Sequence, residues 1–109
     1  MIINQTKGKI ISQKEILGNG FCSQMRGLMF RGRRNMVMVF PNERKISLHM
    51  FFVFYPIDVL VVDGNKRIVE IKRDFKPFTA WNSSEKGKYV LELADKGSYE
   101  VGDVVEMRK

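Results

Sequence analysis

Cysteine occurs once in this 109-residue sequence, at Cys22. An intramolecular disulfide is excluded, and a reducing cytoplasm is the expected home. Histidine also occurs once, at His49. One His and one Cys cannot make the ligand set of a tetrahedral zinc site, so no metal and no cofactor are expected. No transmembrane span is expected either. The main apolar run, Leu48–Val62, is shorter than the roughly 20 residues that cross a bilayer, and it contains His49, Pro56 and Asp58. Met1 is followed directly by Ile2-Ile3-Asn4, without a charged leader and apolar stretch, so no signal peptide is expected. Gly18-Asn19-Gly20 holds a GxG and nothing more of a phosphate-binding or dinucleotide fingerprint. No repeat, linker or low-complexity segment divides the chain, and its length suits a single domain over 1–109.

Positive charge is in surplus. The net charge is +7, from 19 Lys+Arg against 12 Asp+Glu. Such a balance favours acidic partners, but the cations are scattered: Arg31/Arg33/Arg34, Arg44/Lys45, Lys66/Arg67, Lys72/Arg73/Lys76 and Lys86/Lys88. No block reaches five, so there is no polybasic tail. A solvated surface is the plain reading.

Hydrophobic patterning is mostly that of strands. Ile10-Ile11 and Ile16-Leu17 flank a polar Ser12–Glu15, which predicts strand, turn, strand. Met36–Phe40 is continuously apolar and reads as a strand buried on both faces, stopped by Pro41-Asn42. After Pro56, the residues Ile57, Val59 and Val61 line one face, and Asp58, Leu60 and Val62 the other. Asp63-Gly64-Asn65 predicts a hairpin turn, with positive φ at the glycine or asparagine, into a partner strand over 67–72. Residues 74–87 read as a long polar loop anchored by aromatics. Tyr89–Leu93 alternates, with Tyr89, Leu91 and Leu93 inward. Gly102-Asp103 turns the chain into a last strand over 104–107. One short helix is predicted from an N-cap at Ser23 through Met25, Leu28 and Met29 to Phe30, with Gly32 beyond its end. About eight strands and one helix predict a mostly β fold, a sandwich or barrel.

Chemistry-bearing residues are few. Asp58 stands inside an apolar run, so its carboxylate must shift its pKa upward or find a cation or backbone amides; Arg26 and Arg31 are plausible partners. Cys22 lies at the start of the predicted helix, a position that activates thiols, but no motif joins it to His49. Met36, Met38, His49 and Met50 could in principle hold Cu(I), yet methionines at such positions are usually core filler. Phe51–Tyr55 offers rings for base stacking but lacks the interleaved basic and glycine residues of an RNA-recognition signature, so nucleic acid is not favoured.

Three stretches together resemble a known family. They are Arg26-Gly27-Leu28-Met29-Phe30-Arg31; Phe40-Pro41 through Met50, followed by Pro56-Ile57-Asp58; and Tyr89-Val90-Leu91-Glu92-Leu93 with Gly102-Asp103-Val104-Val105. In this order they resemble domain-of-unknown-function family number 192, also called uncharacterised protein family UPF0127. The resemblance implies a compact jelly-roll-like β sandwich with one short helix, and no established activity, substrate or cofactor. Many relatives carry a polar Lys-Asn-Thr stretch after the methionine matching Met50; this chain has Phe51-Phe52-Val53 there. The resulting expectation is a non-catalytic binding or interaction module for a small polar or anionic ligand, with Arg26, Arg31, His49 and Asp58 as candidate ligand-binding residues. The alternatives are a small enzyme using Asp58 as acid/base, and weak single-stranded nucleic-acid binding.

Overall fold

The computed structural model describes residues 1–13, 15–18, 35–49, 57–76, 80–94 and 97–108. Eight strands run through them: β1 (Ile2–Asn4), β2 (Lys9–Ser12), β3 (Glu15–Gly18), β4 (Asn35–His49), β5 (Ile57–Val62), β6 (Ile68–Phe75), β7 (Ala80–Leu93) and β8 (Val105–Met107). The helix predicted over 23–30, with Cys22 before it and Gly32 after it, lies outside the described residues. So does the aromatic stretch 51–55. No helix among the described residues is long and apolar enough to cross a membrane.

The strands form two sheets. The smaller is antiparallel, in the order β2-β1-β8. The larger has the order β3-β4-β7-β5-β6, antiparallel throughout except for β3, which pairs parallel to β4. Side chains alternate across a strand, so the larger sheet presents two apolar faces. One face contributes Val37, Leu60, Val62, Ile68, Leu91 and Leu93, which cluster with Ile2, Ile11 and Val105 of the smaller sheet and with Tyr99. This is the sandwich interior. Burying each such aliphatic side chain stabilises the fold by about 1.5–3 kcal/mol. The opposite face carries Met36, Met38, Phe40, Ile46, Ile57, Val59, Val61, Phe75 and Val90. Every residue of β5 is therefore buried, and the predicted division of its faces holds.

The chain's own longest strands bend back against part of that second face. An unbent strand of 15 residues would run about 50 Å, whereas the longest extent of the molecule is 33 Å. The β4–β7 ladder shifts register between Val39 and Arg44 and again between Lys45 and Ser47. Such irregularities bend strands, and the bent arm returns over the sheet. Trp81 of the arm lies 6.4 Å from Phe75 of β6, ring to ring. Glu70 of β6 accepts the amides of Ser84 and Glu85, each at 2.8 Å. A side chain at Gly87 would collide with Val61.

Three expectations need correction. Pro41 does not stop the fourth strand; it is exposed at the register break and β4 continues to His49. Residues 80–87 are not loop but the first half of β7, whose polar sequence reflects the arm's outer surface. The turn after β5 does form a β5–β6 hairpin, but positive φ falls on Lys66 (φ 67), not on Gly64 or Asn65.

Candidate functional site

Asp58 sits on β5 with only 2% of its surface exposed. Its neighbours explain how an acid survives there. Ile57 pairs with Phe75 and Val59 with Lys72, so Asp58 faces a two-residue bulge, Arg73-Asp74, on β6. Asp74 takes a positive φ of 55, and its amide donates to Asp58 Oδ1 at 2.9 Å. The Tyr99 hydroxyl donates to Oδ2. Arg73 Nη1 reaches the same oxygen at 3.4 Å, while its Nη2 donates to the Tyr99 carbonyl at 2.8 Å and its guanidinium lies 4.8 Å over the Tyr99 ring. Both carboxylate oxygens are thus committed to partners within the chain. Burial, reinforced by the hydrogen bond to Asp58, pushes the Tyr99 phenol well above its ordinary pKa.

The other candidates do not assemble around Asp58 in the described structure. Arg26 and Arg31 lie outside the described residues; the cation on Asp58 is Arg73. His49 pairs with Ala80 and Asp58 with Leu93, so the backbone register puts them at opposite ends of β7. Met36 and Met38 are members of the second core face, both nearly fully buried.

Three polar features escaped the sequence reading. Glu92 of β7 is buried, 4% exposed, directly between Met36 of β4 and Val59 of β5. It shares a face with Val90, two residues earlier, in the second core. Among the described residues no donor or cation reaches its carboxylate, and desolvation pushes its pKa up to about 7.

The second feature is a cap joining the chain's two ends. Asn4 Nδ2 donates to Asp103 Oδ2 at 2.8 Å and to the Ser98 carbonyl at 3.0 Å; Lys7 Nζ donates to the same Asp103 oxygen at 2.8 Å. Led by the Lys7 hydrogen bond, these donors hold Asp103 below the usual carboxylate range.

The third is cationic. Lys66 Nζ donates to the Tyr89 hydroxyl at 2.7 Å and lies 4.1 Å from the ring centroid; Lys88 Nζ lies 6.0 Å from the same centroid. Further along β7, Lys86 is directly opposite Lys45 of β4. Among the described residues none of these four lysines forms an ion pair. No group of three or more His, Cys, Asp or Glu suited to a metal occurs among the described residues.

A two-sheet β sandwich whose buried Asp58 is fully used by the fold defines a structural class, not an activity. The chain belongs to the DUF192 family, described as "Uncharacterized ACR", which it matches over residues 3–107. It is 32% identical to a UPF0127 protein of Thermococcus sibiricus over 114 residues, covering 97% of this chain and 73% of that protein. It is 36% identical to a UPF0127 protein of Thermococcus gammatolerans over 99 residues, covering 84% of this chain and 62% of that protein. The fold is similar to the crystal structure of a proposed transcription regulator from Sinorhizobium meliloti 1021, with a TM-score of 0.79 at 24% identity over 96% of this chain and 88% of that one.

Proposed function

We propose that this protein is a non-catalytic binding module, of jelly-roll-like architecture, for a small polar or anionic ligand. The observation that carries the reading is the unneutralised charge on the β4–β7 arm. Lys45 and Lys86 are direct cross-strand partners. Like charges in that position destabilise a sheet, and neither ammonium has an ion-pair partner among the described residues. An anion bound there would relieve the repulsion. Asp58 supports the non-catalytic half of the reading. A general acid or base must exchange a proton with substrate, and both oxygens of this buried carboxylate are already occupied.

The test is a thermal-shift titration with phosphate, sulfate, citrate and a nucleoside monophosphate, each against chloride at matched ionic strength. At least one should raise Tm saturably, since a ligand that binds only the folded state stabilises it by mass action. Uniform, non-saturating responses to all of them would sink the reading.

A further inference from the structure

Of the buried acids, Asp58 and Asp103 are consumed by intramolecular donors, and Glu92 is buried between Met36 and Val59. The lysines around Tyr89 are different, because both ammonium groups lie near one ring and neither forms an ion pair among the described residues.

We infer that Lys66, Tyr89 and Lys88 form a binding site for a tetrahedral oxyanion, of the kind a phosphate monoester or inorganic phosphate presents. The inference rests on the anion-binding reading above and adds a site distinct from the Lys45–Lys86 pair. Lys66 donates one hydrogen to the Tyr89 oxygen. That leaves the phenol free to donate its own proton outward, and leaves the Lys66 ammonium two further hydrogens. Lys88 brings a second ammonium to the same ring. Donors from a turn and from two positions of β7 suit an acceptor with several oxygens better than a single halide.

The surroundings keep these donors available. Two carboxylates border the site, and both face backbone amides. Asp63 Oδ1 accepts from Asn65 and Arg67, at 2.9 and 3.0 Å. Glu43 accepts from Gly64 at 3.4 Å. The three site residues are half-buried, neither sealed in the core nor fully solvated. Lys66 is also held in the left-handed region, at φ 67, which costs an ordinary L-residue about 1–2 kcal/mol. Its carbonyl is pinned by the Val105 amide at 2.8 Å and its amide by the Asp63 carbonyl at 3.1 Å. The fold therefore fixes the backbone from which this ammonium reaches Tyr89, and backbone strain of this kind gathers at binding sites.

The experiment is a ¹⁵N–¹H NMR titration of the full chain with inorganic phosphate, with chloride at matched ionic strength as reference. The expected result is a saturable shift centred on the amides of Lys66, Lys88 and Tyr89. Lys66→Gln and Lys88→Gln should each weaken it about tenfold, and Lys72→Gln should leave it unchanged. Lys66→Arg, which keeps the charge, should retain binding and guards against a variant that fails through misfolding. Unchanged affinity in both Gln variants overturns the site. Saturable binding centred elsewhere also overturns it but leaves the ligand-binding reading standing. Absence of saturable binding by phosphate and by every anion of the thermal-shift series overturns both.

Discussion

Replacing Glu92 with glutamine should make the protein's stability less sensitive to pH between 5 and 8. In the unfolded chain this carboxyl ionises near 4.5, and in the fold desolvation raises it to about 7. Between those values the folded state keeps a proton that the unfolded state has released. Stability must therefore fall as pH rises through this window and level off above it. At about 1.4 kcal/mol per pKa unit, the loss at the plateau is about 3 kcal/mol, and near pH 5 it is about 1 kcal/mol. Glu92→Gln removes that dependence while conserving shape. Urea unfolding at pH 5 and pH 8 would measure it. The variant should be close to wild type at pH 5 and more stable by about 2 kcal/mol at pH 8, after allowing for the amide's own desolvation. Every other titratable group is common to the two proteins, so the difference isolates Glu92. Asp103 works in the opposite sense and in another window, because its stabilising bonds are lost only as pH falls below about 3.8. Parallel stability–pH lines for wild type and Glu92→Gln would refute the reasoning and require a partner for the carboxylate.

Three further perturbations follow from the packing. Asp58→Asn should lower stability by about 1–3 kcal/mol in urea unfolding, through the buried hydrogen bonds to Tyr99 and Asp74 more than through half-exposed Arg73. Gly87→Ala should cost about 1–3 kcal/mol and lower Tm, because its methyl group would enter the space of Val61. Asp74→Gly should be neutral to slightly stabilising and Asp74→Val should cost more than about 1 kcal/mol in thermal melts, since φ there is 55 and β-branched side chains fit that region poorly.

The sheet architecture was legible where apolar runs were short and unbroken. Residues 57–62 have the predicted faces, and the last strand lies within a residue of its expected place. The expected total of eight strands agrees only by compensation. Met36–Phe40 and the run from Ile46 are one bent strand, and β1 was not foreseen. Proline reads locally as a stop, but at the edge of a register break its missing amide costs little. The site was less legible for reasons of distance. Asp58 stood out because a carboxylate interrupts an apolar run, yet its partners Arg73 and Tyr99 are 15 and 41 residues away. Glu92 was hidden by alternation. Tyr89-Val90-Leu91-Glu92-Leu93 reads as a strand with polar residues outward until a second core occupies the outward side. Lys66 was hidden because Gly64 and Asn65 beside it are the ordinary residues for positive φ.

The bulge that Asp58 clasps has a consequence for self-association. Among the described residues strand β6 is an edge of the larger sheet, and an edge strand ordinarily offers a template to another chain's backbone. Here the Asp74 amide is turned inward onto Asp58 and the backbone kinks at positive φ. A second molecule approaching edge-on would find an interrupted ladder. The same buried carboxylate that completes the fold thereby helps keep separate copies of it from joining into a continuous sheet.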